Sequence, residues 1–156
     1  MAKQKRQNPK AIRNRRARFD YQLGDSLVVG LELTGREVRS LRSGRGYLRG
    51  AYVTAKDNEL WLINATISGG AGILMSEGEQ IRSRRLLAKR REIDQLIASK
   101  QQGMTIVPLE ILTGSRYIKL RLAVGKGMKK YDKRQLLKTR EQQRQMENTI
   151  KRIRAT

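Results

Sequence analysis

The placement of charge limits this chain's fold more than any other feature. Residues 1–18 carry eight Lys or Arg and no acid, and residues 126–156 carry eleven against three acids. Residues 19–125 hold sixteen basic and eleven acidic residues, so arms of +8 at each end flank a middle of +5 and complete a net charge of +21. Removing the arms leaves a middle of about a hundred residues, the usual size of a single core, so one domain is expected. A globular domain with a cationic arm at each end suits a long, folded polyanion touched at several places, and structured RNA is the polyanion that fits.

The chain has no cysteine and no histidine. Disulfides, thiolate or imidazole metal sites, Cys or His nucleophiles and a His general base are excluded. The start Met1-Ala2-Lys3-Gln4-Lys5-Arg6 has no apolar segment after it, and no run approaches the about eighteen apolar residues that span a bilayer. A cytoplasmic protein with no membrane partner is expected.

Along the chain, residues 1–18 lack apolar periodicity and read as a basic arm, disordered over its first ten residues, with Ile12 to Arg18 able to turn helical against a partner. Leu23 to Leu33 reads as two short strands. Thr34 and Glu37 form a Thr-x-x-Glu capping box that opens a helix over 35–43, stopped by Gly44, with Val38 and Leu41 toward the core and Arg36, Arg39 and Arg42 toward solvent. Strands at about 47–56 and 59–67 join at Lys56-Asp57-Asn58, which suits a tight hairpin turn. Residues 69–83 read as a flexible loop, and 85–101 as a helix with Leu86, Leu87, Ile93, Leu96 and Ile97 on one side, ended by Gly103. Strands at about 104–112 and 117–124 form a last hairpin across Thr113-Gly114-Ser115.

Strands that arrive as hairpins, broken by a short and a longer helix, predict a mainly β fold: a small closed antiparallel barrel over 19–125 with flanking helices and a basic tail. Among small barrels the oligonucleotide-binding (OB) type is chosen by analogy with a basic RNA-binding role. After Val124 the composition becomes polar and cationic. Gly125 and Gly127 allow close backbone approach, the cations meet phosphates, and Tyr131 offers a face for an unpaired base. Leu136, Met146, Ile150 and Ile153 then recur at helical spacing in a segment expected to be disordered when free and helical when a partner orders it. A generic basic tail is the alternative.

Four blocks carry a family resemblance: Asn-Arg-Arg-Ala-Arg-x-Asp-Tyr at 14–21, Thr-Gly-x-Glu-Val-x-Ser-Leu-Arg-x-Gly at 34–44, Arg-x-Arg-Arg-Leu-Leu with Lys-Arg-Arg-Glu-Ile at 82–93, and Gly-Lys-Gly-x-Lys-x-Tyr-Asp-Lys-Arg at 125–134. With Val107-Pro108-Leu109 between the last two, they resemble the small protein B (SmpB, SsrA-binding protein) family over nearly the whole chain. The resemblance implies an OB-type barrel that binds the tRNA-like domain of transfer-messenger RNA (tmRNA). It also implies a non-catalytic adaptor that works with elongation factor Tu to deliver tmRNA to stalled ribosomes for trans-translation, as a monomer without metal or cofactor. The matching tmRNA-binding positions are Asn14, Leu87 and Lys119, with Arg18 and Phe19 beside them. The tail positions matched to the decoding centre and mRNA channel are Lys126, Gly127, Lys129, Tyr131, Asp132, Lys133 and Arg134.

Some positions depart from the family pattern. Phe19 stands where the family often has His, and Tyr131 likewise, so stacking survives while an imidazole hydrogen bond does not. Val28-Val29-Gly30 replaces the family's Glu-Ala-Gly, whose Glu is tied to RNA binding. Two other functions fit the residues less well: a ribosomal or assembly protein with basic extensions, and a nucleic-acid enzyme in which Glu32 with Glu37, or Glu92 with Asp94, holds Mg²⁺. Leu87 as core packing and Lys119 as a solvated strand charge are the plain structural alternatives for those two residues.

Overall fold

The computed structural model describes residues 11–155, so the disorder expected of residues 1–10 lies outside the described residues. The chain opens with strand β1 (Ile12–Arg13) and a single helical turn α1 (Ala17–Asp20) that leads straight into β2 (Tyr21–Leu31). The sequence suggests two short strands here, but β2 is one strand of 11 residues whose register shifts between Leu23 and Ser26. The shift lets Gly24 and Asp25 bulge out, which bends the strand without ending its ladder.

Helix α2 (Gly35–Arg42) starts where its capping box places it. The Glu37 N–H donates to Thr34 Oγ1 at 3.4 Å and the Thr34 N–H donates to Glu37 Oε2 at 2.9 Å, so two otherwise orphaned donors are satisfied. The next two expected strands are each cut in two: β3 (Gly46–Tyr47) and β4 (Tyr52–Lys56), then β5 (Glu59–Ile63) and β6 (Thr66–Ile67). Left-handed backbone at Gly50 (φ 75°) and Asn64 (φ 59°) breaks each ladder. The turn between β4 and β5 puts Asp57 and Asn58 at φ 53° and 60°, the geometry that two-residue hairpins need.

The remaining elements are α3 (Glu77–Ile81), β7 (Arg84–Leu87), α4 (Arg90–Gln101), β8 (Thr105–Leu112), β9 (Lys119–Gly127) and α5 (Lys130–Arg154). Two expectations are corrected here. The 69–83 segment carries the short helix α3, started by a Ser76–Glu79 capping box. The helix expected over 85–101 begins only at Arg90, because Arg84 to Leu87 form a strand that pairs with both β5 and β2. Leu86 and Leu87 thus alternate across a sheet, one buried and one exposed, and do not share a helical face.

The sheet is antiparallel throughout. β8 pairs with β4 and β9, β9 with β2, β2 with β7, β7 with β5, and β5 with β4, so the pairings run in a circuit, with β1 added beside β8. The core is one cluster in which Val29, Leu60, Leu62, Leu86, Leu120 and Leu122 of the sheet join Leu41 from α2 and Leu96 from α4. α5 touches the rest of the fold at its start, where Lys133 and Leu136 are half-buried, and has no fully buried residue.

Candidate nucleic-acid interface

Strand pairing assembles the candidate site on the outer surface of the sheet. Residues directly opposite in an antiparallel pair point to the same face. Register places Lys119 of β9 opposite Leu112 of β8 and Gly30 of β2, and Gly30 opposite Leu87 of β7. One row, Leu112, Lys119, Gly30 and Leu87, therefore runs outward across four strands. Two residues away, a second row consists of Arg13, Glu110, Arg121 and Val28.

Lys119, Gly30 and Leu87 of the first row line a groove of about 740 Å³ together with Val28, Asn58, Arg85 and Arg90. Leu87 is 47% exposed, so its packing into the core is ruled out and an apolar surface contact is open to it. Gly30 keeps the floor low: a Cβ there would come within 3.1 Å of Leu87 Cβ. Arg90 is held over the groove by donating to the Asn58 carbonyl at 2.9 Å and pairing with Asp94 at 2.6 Å.

The second row carries a carboxylate of its own beside Val28. Arg121 Nη1 donates to Glu110 Oε1 at 2.7 Å, and Arg13 Nε lies 3.5 Å from Glu110 Oε2. Glu110 holds two guanidinium groups side by side next to Val28, which is 40% exposed. Arg121, Glu110 and Arg13 are absent from the residues picked out by sequence. Their signal was the outward alternation of Lys119 and Arg121 around buried Leu120, together with Pro108, which disrupts regular pairing.

Asn14 sits at that disruption. The register of β8 against β9 shifts between Pro108 and Glu110, and Asn14 closes the gap: its N–H donates to the Leu109 carbonyl at 2.7 Å and its Nδ2 to the Pro108 carbonyl at 3.0 Å. Part of its amide is thus engaged within the fold, leaving Oδ1 free to accept. Arg13, Asn14, Arg15, Arg18 and Arg121 line one basic depression that continues the second row.

Helix α1 and the start of β2 also meet the tail. Lys126 and Gly127 are the last residues of β9, paired with Gln22 and Tyr21. The Met128 N–H donates to the Asp20 carbonyl at 2.9 Å. Lys133 Nζ donates to Asp20 Oδ1 at 2.9 Å and lies 5.6 Å from the centre of the Phe19 ring. Lys129 is the N-cap of α5, Asp132 lies in its first turn, and Tyr131, Asp132 and Arg134 are exposed. The Gln135 amide donates to the Tyr131 hydroxyl at 2.9 Å. The structure therefore gathers Asn14, Arg18, Phe19 and the tail's first turn around α1, and joins them to Lys119 and Leu87 through Arg121.

The carboxylates considered for Mg²⁺ are otherwise engaged. Glu37 is 1% exposed and accepts from Arg82 Nε at 2.8 Å, Arg82 Nη2 at 2.6 Å and Arg84 Nε at 2.9 Å. Burial pushes its carboxyl up, but hydrogen bonds from Arg82 and the Thr34 N–H and the charges of Arg84 and Arg82 outweigh that, leaving it below its ordinary value. Arg84 is fully buried and also donates to the carbonyls of Ala65, Arg82, Glu79 and Gln80, so it ties α2, α3 and β7 together. Glu92 accepts the Lys89 N–H at the start of α4, and Asp94 pairs with Arg90.

Residues 11–152 match the SmpB protein family. An SsrA-binding protein of Nostoc sp. (strain PCC 7120) is 42% identical over 141 residues, covering 88% of this chain and 90% of that relative. The SsrA-binding protein of Trichodesmium erythraeum (strain IMS101) is 41% identical over 155 residues, covering 97% and 99%. Among solved structures, a chain described under "tmRNA-SmpB: a journey to the center of the bacterial ribosome" is 34% identical with a TM-score of 0.62, covering 77% of this chain and 85% of that one. Matched over most of its length by the family and by these relatives, and carrying all four motif blocks on one basic fold, the chain is a member of the SmpB protein family.

Proposed function

We propose that this protein is an RNA-binding adaptor without chemistry of its own, which binds the tRNA-like domain of tmRNA and brings it to stalled ribosomes for trans-translation. Its SsrA-binding relatives and the tmRNA-SmpB structure support this reading. The observation that carries it is the outward row Lys119, Gly30 and Leu87, continuous through Arg121 with the arm that holds Asn14 and Arg18. The row offers cations for phosphates and an apolar edge for a base or sugar, the combination that reads folded RNA by shape.

We read the circuit of strand pairings as a closed barrel of OB type, with residues 19–125 as the RNA-binding unit, 1–18 as the basic arm and 126–156 as the tail. On the ribosome, Tyr131 stacks on an exposed base of the decoding centre while Lys126, Gly127, Lys129, Asp132, Lys133 and Arg134 meet the surrounding backbone. Beyond them α5 fills the mRNA channel that a truncated message leaves empty. Delivery involves elongation factor Tu, and the protein acts in the cytoplasm as a monomer.

Sequencing the RNA that copurifies with the protein tests the reading. Strong enrichment of tmRNA is the expected result, whereas enrichment of ribosomal RNA alone overturns it in favour of a ribosomal or assembly role.

A further inference from the structure

We infer that Tyr117, with Arg116 over its ring, is a stacking site for an unpaired base of the RNA held in the neighbouring groove. The inference rests on the proposed RNA-binding function and adds a contact to it. The tip between β8 and β9 is firmly held. Thr113 and Ile118 are buried at its two ends, Arg42 of α2 donates from Nη2 to the carbonyls of Ser115 (3.3 Å) and Arg116 (3.0 Å), and Ser115 Oγ donates to the Tyr117 carbonyl at 2.8 Å. On this fixed backbone the Tyr117 side chain is 68% exposed and adds nothing to the core.

Tyr117 lies in the bend between β8 and β9, two residues before Lys119 opens β9. Ile118 between them is buried while Tyr117 and Lys119 are exposed, so the ring stands at the surface beside the start of the groove-lining strand. The Arg116 guanidinium lies 5.5 Å from the ring centre, within cation–π range, and covers one face. The other face is left for a partner.

Charge selects that partner. Arg116 lies over the ring, Arg42 holds the backbone beside it and Lys119 follows two residues on, and an apolar protein surface laid over this tip would bury cations without counter-charge. An RNA meets all of them at once: its base stacks on the ring and its phosphates face the cations. Stacking of this kind accepts any base, so Tyr117 supplies affinity and selects for an unpaired nucleotide, not for its identity.

The test titrates the full-length protein with a tRNA-like-domain fragment of tmRNA across a series of salt concentrations. Tyr117→Ala is expected to weaken binding by about 5- to 100-fold. The slope of log affinity against log salt is expected to stay unchanged, because no charge is removed. Tyr117→Phe is expected to bind like the unaltered protein, since the ring suffices, and unchanged circular dichroism of both variants confirms the fold. Unaltered affinity in Tyr117→Ala, or a loss in Tyr117→Phe equal to that in Tyr117→Ala, overturns the inference and leaves the proposed function standing. If the unaltered protein does not bind the fragment, the function itself fails and the inference with it.

Discussion

Glu37 shows how much one residue can carry here. As the capping partner of Thr34 it is legible in the sequence, but its larger role is to neutralise Arg84, a guanidinium with no exposed surface. Removing one member of a buried pair leaves the other uncompensated, so Glu37→Gln is expected to cost about 3–5 kcal/mol in urea denaturation. The pH dependence has a definite sign. The carboxyl is held below its ordinary 4.5 in the folded protein, so its contribution is fully present above that value and is lost as pH falls through the lowered folded value. Acid unfolding of the unaltered protein should therefore include a component that Glu37→Gln lacks. At position 28, Val28→Glu would put a second carboxylate on the row where Glu110 already pairs Arg121. Binding to tmRNA is expected to be preserved or improved, and a large loss with intact circular dichroism would show that this interface has been rebuilt around the Glu110 pair. Lys119→Ala should weaken binding and flatten the salt slope by about one, because one phosphate contact is gone.

At the scale of elements, the boundary between β9 and α5 decides how the tail is tested. β9 continues through Gly127, and Met128 is hydrogen-bonded to Asp20, so a cut after residue 125 would remove part of the ladder. A fragment ending at Lys129 leaves β9 whole and removes α5, which has no fully buried residue and takes with it the Lys133 pair to Asp20 and the half-buried Leu136. Its thermal midpoint and its binding to the tRNA-like domain are expected to stay close to those of the whole protein, while tagging on a message lacking a stop codon collapses in a reconstituted translation assay. Normal tagging by this fragment would rule out the proposed role of the tail. Met146→Pro is a milder version: it breaks α5 at a cost of about 3 kcal/mol and should impair tagging with tmRNA binding intact. Native-state hydrogen exchange should show β9 amides protected and amides in the second half of α5 exchanging quickly, since the residues of that half are exposed.

Taken as a whole, the molecule joins its two charged ends. Helix α1, at the end of the arm, lies against the start of the tail through Phe19, Asp20 and Lys133, and the arm reaches the second row through Arg121 and Glu110. A surface with this many cations predicts steep salt dependence of tmRNA binding, steeper for the whole chain than for the fragment lacking α5, because long-range attraction from the tail's cations is lost with it. Equal slopes for the two proteins would show that the tail contributes no electrostatic attraction to tmRNA.

Much was legible in the residues alone. The charge distribution, the Thr34–Glu37 capping box, the Asp57-Asn58 turn and the four motif blocks are local patterns whose physical meaning does not depend on distant partners. The strand at Arg84 to Leu87 was not legible, because two arginines followed by two leucines have no period of their own, and only pairing with β5 and β2 makes them extended. The same holds for the Glu110–Arg121–Arg13 row and for Asn14 in the gap at Pro108. Their members are up to about a hundred residues apart in the chain, and register across three strands sets which side chains meet. The sequence by itself determined that the protein is strongly basic and which segments carry the charge. Tertiary structure decided which cations share a face, because side-chain neighbours in a sheet are fixed by hydrogen-bond register between strands and not by position along any one of them.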